Sequence, residues 1–236
     1  VIALFTIGTS LSVFGADTGL VRTVSAQQAS GRYSAIKKLI RIAMVPSLCI
    51  SIALTLVALI YTLPVFSPQL SSDYRTAFVV SVPFLIVAAI MTVSFGVLRG
   101  LHRVVTFTAM QSVLLPTLRI VAVLLVIAMA GDIVSLSLAW AVPVVIVALV
   151  TVGLVRKYLP RQEDAVIADA APEETARTFW GFSAARGVSA VVESVLEWID
   201  VICVAMFVGV AASGMYGAVN RMVRMGVLVD NIGRVV

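Results

Sequence analysis

The sequence predicts an all-α polytopic membrane protein, and composition and pattern both support that class. Of its 236 residues, 61% are hydrophobic and only 12% are charged, and the mean hydropathy is +1.09. Soluble domains are about 45–50% apolar and about 25% charged, so this chain has too few polar side chains to cover a soluble globule. Apolar runs of roughly 20 residues, the length of a membrane-spanning helix, recur along it.

Seven apolar runs are candidate spans. They are longer than the strands of a membrane β-barrel, which need about 9–11 residues, and backbone groups in lipid must find their hydrogen bonds within the segment. We therefore predict helices. The first and last runs begin and stop inside apolar sequence, so we expect a fragment of a longer protein. The runs cover 1–17, 42–66, 77–98, 104–130, 133–155, 182–209 and 214–236.

The connections between these runs alternate in charge. Segments 22–41, 99–103 and 156–178 together hold eleven Lys and Arg residues, whereas the connections on the other side hold only Arg75. Cytoplasmic loops of membrane proteins are rich in Lys and Arg. The sequence therefore predicts that the basic connections are cytoplasmic and that the external ones are short.

One connection is polar enough to separate two membrane lobes. Segment 159–178 has two prolines, five acids and no apolar run. We predict an N-terminal transmembrane lobe over 1–158, a cytoplasmic linker over 159–178, and the start of a second lobe over 179–236. Prolines in or beside spans can kink a helix, because each removes a hydrogen bond; these are Pro46, Pro64, Pro83, Pro116 and Pro143.

The run 182–209 contains charged residues that share one helix face. At 3.6 residues per turn they fall within an arc of about 60°; they are Arg186, Glu193, Glu197 and Asp200. Charges in lipid are costly and usually face water or a partner helix, so we expect this face to line a polar cavity. The alternative is an amphipathic cytoplasmic segment over 179–200, with the span beginning near Asp200.

The next run, 214–236, has Asn220, Arg221 and Arg224 within about one turn. Arginine suits phosphate because its planar fork binds two oxygens at once, so these residues and Arg186 are the predicted substrate-binding set. Glu193, Glu197 and Asp200 are candidates for coupling to Na⁺ or H⁺. The alternative is a structural set of salt bridges between neighbouring helices. Arg119, in the run 104–130, is expected to snorkel to the headgroups.

The sequence lacks the motifs of several common nucleotide-binding, metal-binding and redox sites. The chain has no GxxxxGK[ST] phosphate loop, no HExxH and no CxxC, and His102 has no second His or Cys nearby. We predict no metal, no cofactor and no catalytic residue. The net charge of +5 is explained by cytoplasmic loops and does not indicate nucleic acid. No pattern predicts an oligomeric state.

Three stretches resemble the Wzx-like oligosaccharide flippases of the multidrug/oligosaccharidyl-lipid/polysaccharide exporter superfamily. GADTGLVRTVSAQQASGRYSAIKKLIRIAM resembles their second helix, the following basic turn and the entry to the third helix. VLRGLHRVVTFTAMQSVLLPTLRIVAVLLV is similar to their fourth-to-fifth helix turn. EWIDVICVAMFVGVAASGMYGAVNRMV resembles the start of their second lobe.

The resemblance implies a MATE-like fold of 12–14 helices in two lobes, of which this chain would hold helices two to eight. It also implies that cavity cations bind the pyrophosphate of a polyprenyl-linked oligosaccharide; Arg186, Arg221 and Arg224 are the positions available here, with Asp200 as the matching intramembrane acid. We therefore expect a plasma-membrane flippase for surface polysaccharide synthesis that works by alternating access and is not an enzyme.

Three other functions remain open. A cation-coupled multidrug or metabolite exporter of the same fold would use the acids to bind Na⁺ or H⁺. A peptidoglycan-precursor lipid flippase would share nearly every feature named above and differ in cargo. A membrane glycosyltransferase or polymerase would need a larger external loop than the sequence contains between its predicted spans.

Overall fold

The computed structural model describes residues 2–31, 33–63, 72–159, 176–209, 211–220 and 222. This part of the chain is helical almost throughout and contains no strand, which confirms the all-α prediction. Residues 211–220 are also helical. The nine named α-helices are α1 (Ile2–Val13), α2 (Ala16–Ala29), α3 (Tyr33–Tyr61), α4 (Ser72–Ser81), α5 (Phe84–Gly100), α6 (Val104–Thr108), α7 (Leu115–Ala128), α8 (Ile133–Tyr158) and α9 (Ala176–Phe207).

Four described segments are long and apolar enough to cross a membrane, and a fifth is added if α1 and α2 form one bent span. The four correspond to the predicted runs 42–66, 77–98, 104–130 and 133–155. Helix α9 has the length, but its charged residues keep it out of this group, so its crossing remains a prediction. Most of the predicted run 214–236 lies outside the described residues.

The first predicted span, 1–17, is interrupted by a bend between α1 and α2. Phe14 and Gly15 have left-handed backbone angles, with φ of 43° and 76°, and the two helices on either side meet at 41°. Glycine adopts this conformation without steric cost, whereas Phe14 does so only because the surrounding packing holds it. Helix α2 then continues to Ala29, so residues 22–29 of the predicted connection 22–41 belong to a helix.

The prolines take different positions in the helices. Pro46 and Pro143 lie inside α3 and α8. Pro83 lies between α4 and α5, and Pro116 follows a π-helical turn, Ala109–Leu114, at the start of α7. Pro64 is outside the described residues.

The basic turns meet at one end of the bundle, which we call the basic end. There the Ser25 hydroxyl of α2 donates a 3.0 Å hydrogen bond to the Gly100 carbonyl of α5, and Arg103 stacks on Tyr158 at 4.6 Å from the ring centroid. The ends of α2, α5 and α8 and the starts of α3 and α6 are therefore neighbours. The helices run alternately up and down, as the loop charges predict.

Helix α5 lies at the centre of this arrangement and contacts α1, α2, α3, α6 and α8. Its residues 93–98 are all buried. It approaches α2 closely because Gly96 and Gly100 have no side chains: a Cβ on Gly96 would lie 2.6 Å from the Asp17 carbonyl oxygen, and one on Gly100 would lie 2.7 Å from Val24 Cβ. Small residues spaced by four allow such close helix crossings in membranes.

Helix α9 packs against α1 and α2. It begins at Ala176, so the last three residues of the predicted linker 159–178 are helical. The sequence before it, Pro172-Glu173-Glu174, is typical of the start of a helix, where acids favour the positive end of the dipole. The division into lobes and linker remains a prediction.

Candidate functional site

The long helix α9 has three distinct faces. Its buried residues are Phe179, Ser183, Gly187 and Ser194, which share an arc of about 80° at 3.6 residues per turn. Exposed apolar residues lie on the opposite side and include Val188, Val192 and Leu196. The charged face lies beside the buried face, with its centre about 75° away from it. It therefore differs from both the packed face and the exposed apolar face.

The packed face of α9 sits against the bend between α1 and α2. A Cβ on Gly187 would lie 2.4 Å from the Phe14 carbonyl oxygen, and a Cβ on Gly15 would lie 2.3 Å from the Ser183 carbonyl oxygen. The two backbones are therefore in direct contact. This contact fixes α9 against the bundle, and the charged face lies alongside it.

Three of the predicted site residues on α9 have exposed side chains: Arg186, Glu193 and Glu197. At about 1.5 Å per residue, Arg186 and Glu193 are about 10 Å apart along the helix. Glu197 is not free, because it interacts with another group in the structure. The face therefore presents one cation and two acids along the middle of α9.

Asp200, at the outer end of this face, is half-buried and joins α9 to the helical residues 211–220. Its Oδ2 accepts hydrogen bonds from Asn220 Nδ2 at 2.8 Å and from the Tyr216 hydroxyl at 3.3 Å. Its Oδ1 accepts a 2.7 Å bond from the Val201 backbone N–H. The structure thus brings two predicted residues, Asp200 and Asn220, into contact.

Tyr216 was not among the predicted site residues. It lies one helical turn before Asn220, so both side chains reach the same carboxylate. That spacing of four is visible in the sequence and could have identified it. Arg221 and Arg224, the other two predicted substrate-binding residues, lie outside the described residues.

Arg119 is a further half-buried cation, and it packs on α8. Its guanidinium lies 4.0 Å from the centroid of the Trp140 ring, and its Nε donates a 3.3 Å hydrogen bond to the Trp140 carbonyl. Trp140 in turn packs edge-to-face with Phe5 at 5.0 Å. Helix α8 thus offers the half-buried guanidinium both a π-face and an acceptor, and the expectation that Arg119 snorkels to the headgroups remains a prediction.

A partly buried ion pair lies near the basic end. Arg99 Nη2 donates to Asp17 Oδ2 at 2.7 Å, and the same guanidinium lies 4.9 Å from the centroid of Phe107. The glycine at position 96 lets α2 approach closely enough for this contact. The pair therefore joins the bent span to the central helix.

Metal-ligand geometry is not found in the described residues, where no group of three or more His, Cys, Asp or Glu side chains comes together. His102 instead lies in the turn after α5, with its Nδ1 3.1 Å from Gln28 Oε1.

Comparison with known proteins adds one finding. A family model described as "polysaccharide biosynthesis protein" matches residues 1–231. No curated protein and no solved structure matches the chain.

Proposed function

Because the chain belongs to the polysaccharide biosynthesis protein family, we propose that it translocates a polyprenyl-pyrophosphate-linked oligosaccharide across the plasma membrane. Members of the family are multi-pass membrane flippases and exporters for polysaccharide synthesis. The lipid-linked cargo, the alternating-access mechanism and the identity of the membrane are our proposal.

The charged face of α9 is the observation that carries this proposal. Its residues avoid the exposed apolar face, which suits lipid, and lie beside the seam with α1 and α2. Such a placement is expected of charges that meet water or a polar ligand, because charges facing lipid are costly. A cavity beside this seam would receive the headgroup while the polyprenyl chain stays in the bilayer.

Arginine is the residue that gives the cavity its selectivity in this proposal. Arg186 lies on the charged face, and Arg221 and Arg224 follow Asn220 in the sequence. A pyrophosphate carries several acceptor oxygens and negative charge, which planar guanidinium groups bind in pairs. The anionic headgroup is therefore bound by Arg186, Arg221 and Arg224, with Asn220 as a neutral donor.

Alternating access follows from a division into two lobes. In this scheme α9 begins the second lobe and moves against α1 and α2, opening the polar cavity first to one side and then to the other. The acids Glu193, Glu197 and Asp200 would couple that motion to Na⁺ or H⁺. Asp200 is well placed for this role, because its carboxylate links α9 to the helical residues 211–220.

The test is transport of a labelled polyprenyl-pyrophosphate oligosaccharide into vesicles that contain the full-length protein. Replacing Arg221 and Arg224 together by Ala should abolish transport, and Arg186→Lys should retain more activity than Arg186→Ala. Arg156→Ala is the matched control, since Arg156 is an exposed arginine at the end of α8. Wild-type rates in the double variant would refute the proposed binding site.

The same vesicles distinguish the alternative cargoes. Efflux of cationic dyes without saccharide transport would indicate a cation-coupled exporter of the same fold. Translocation of a peptidoglycan-precursor lipid in preference to the oligosaccharide would assign the chain to that branch. Either result would replace the proposed cargo while leaving the family assignment in place.

A further inference from the structure

A proline in α3 leaves one backbone carbonyl without its helical partner. In an α-helix the carbonyl of Ile42 would accept a bond from the N–H of residue 46, but Pro46 has no N–H. A buried carbonyl without a donor is costly, and lipid offers no water to replace it. Another group must therefore satisfy the Ile42 carbonyl.

Trp180 of α9 supplies that group. Its indole Nε1 donates to the Ile42 carbonyl at 3.3 Å, across 138 residues of sequence. Both side chains are half-buried and pack on the hydrophobic core. The bond thus links the first turns of α9 to the proline site of α3.

Aromatic residues beside Trp180 pack the start of α9 against α2. Phe179 is fully buried, packs edge-to-face on Trp180 at 5.4 Å, and fits where Gly19 leaves room: a Cβ there would lie 3.0 Å from the Phe179 ring. Phe182 lies under the Arg22 guanidinium at 4.4 Å. The indole hydrogen bond orients the start of α9 within this apolar packing, because the bond forms only at a particular rotation of the helix about its axis.

We propose that Trp180 is a positioning residue that replaces the hydrogen bond deleted by Pro46 and so sets the rotation of α9 about its axis. That rotation determines which way the charged face points, since Arg186 and Glu193 lie on the same rigid helix. The inference rests on the proposed function only in giving the charged face its role. The contact between Trp180 and Ile42 stands without it.

A double-mutant cycle tests the pairing in the full-length protein. Trp180→Phe keeps the aromatic ring and removes the N–H, whereas Pro46→Ala returns a backbone N–H to the Ile42 carbonyl. We expect Trp180→Phe alone to lower the hydrogen-exchange protection of residues 176–187 about tenfold, the factor typical of one hydrogen bond. In the Pro46→Ala background the same change should have little effect. Pro46→Ser provides a second background if Pro46→Ala does not fold.

Trp198→Phe is the matched control. Trp198 lies on the same helix, and its buried Nε1 has no hydrogen-bond partner among the described residues. Removing its N–H should leave protection of 176–187 unchanged. A loss of protection in Trp180→Phe that is equal in both backgrounds, or no larger than in Trp198→Phe, would mean that Trp180 is only an interfacial aromatic anchor and would overturn the proposal.

A second readout separates this inference from the proposed function. Thiol reactivity of a cysteine at Glu193 should change in Trp180→Phe, whereas adding Trp180→Phe to Pro46→Ala should change it little, because the Ile42 carbonyl then already has a donor within α3. Coupling in exchange and reactivity without any saccharide transport would sustain the positioning role and refute the proposed cargo. Saccharide transport without coupling between Trp180 and Pro46 in exchange and reactivity would support the proposed cargo and refute the positioning role.

Discussion

The carboxylate of Asp17 accepts a 2.7 Å hydrogen bond from Arg99, although 82 residues separate them in sequence. The two side chains are 22% and 30% exposed, respectively, so solvent screens the pair only in part. It lies where α2 crosses α5 and joins the bent first span to the centre of the bundle. A structural role for this pair follows from its position between two helices of the same packed unit.

Breaking the Asp17–Arg99 pair should destabilise the bundle. A hydrogen bond to a charged group contributes about 1.5–3 kcal/mol, so Asp17→Asn and Arg99→Gln should each lower the thermal unfolding midpoint in detergent. The exchange Asp17→Arg with Arg99→Asp should recover part of the loss. Arg156→Ala controls for removal of a basic residue, and an equal loss in that control would contradict a specific role for the pair.

The glycine of α5 beneath this pair should tolerate no side chain. In Gly96→Ala the new Cβ would lie 2.6 Å from the Asp17 carbonyl oxygen, and overpacking of this kind costs about 1–3 kcal/mol. Gly153→Ala in α8 is the matched control, because a Cβ there meets nothing within 4 Å and Ala favours the helix by about 0.5–1 kcal/mol. The unfolding midpoint should fall in the first variant and hold or rise in the second. Equal midpoints would disprove the close crossing.

Asp132 caps α8 in the short turn after α7, and its charge should make stability depend on pH. The Ser135 hydroxyl and then the Ser135 backbone N–H donate to its carboxylate and lower its pKa from the usual 3.8. A lowered folded-state pKa gives stability that is present above about pH 4 and is lost as the pH falls through the folded value.

The matched variant for this cap is Asp132→Asn, which keeps a good N-cap without a titrating charge. Wild-type protein should unfold at a higher temperature than the variant near pH 6, and the difference should shrink below about pH 4. Thermal unfolding at a series of pH values measures it. A difference in unfolding temperature that grows as the pH falls would contradict a stabilising role for the charge of Asp132.

Asp200 should be required for coupling rather than for folding. Asp200→Asn keeps an acceptor for Asn220 and Tyr216 but removes the charge, so the unfolding midpoint should change little. If the carboxylate couples transport to an ion gradient, uptake into vesicles should lose its response to an imposed Na⁺ or H⁺ gradient. Tyr216→Phe controls for loss of a contact to this carboxylate without loss of the acid. A normal gradient response in Asp200→Asn would exclude this residue as the coupling group.

The sequence was sufficient to predict helices, their order and the shared basic end, because long apolar runs and loop charges are local properties. It did not predict the break at Phe14 and Gly15, where no proline marks the bend; Gly15 itself and Asp17, in the first turn of α2, are the local signs. The partners of Asp17 and Arg119 lie on other helices, and a single sequence does not show which helices touch.

The candidate site was predictable to a similar degree. The charged face of α9 follows from helical spacing alone, since it needs only residues on one helix. The contact of Asp200 with Tyr216 and Asn220 depends on how two helices pack. The bond from Trp180 to Ile42 depends on a proline 134 residues earlier in the chain, and only the fold brings the two together.

Water accessibility of α9 tests the central claim most directly. In a background with Cys49 and Cys203 replaced by Ser, single cysteines are placed at Glu193 and Glu197 on the charged face and at Val192 and Leu196 on the exposed apolar face. Their reaction with a membrane-impermeant thiol reagent is then measured in intact membranes. We predict reaction at Glu193 and Glu197 and protection at Val192 and Leu196. Protection at the first two positions, or equal reaction at all four, would contradict a water-filled cavity along α9.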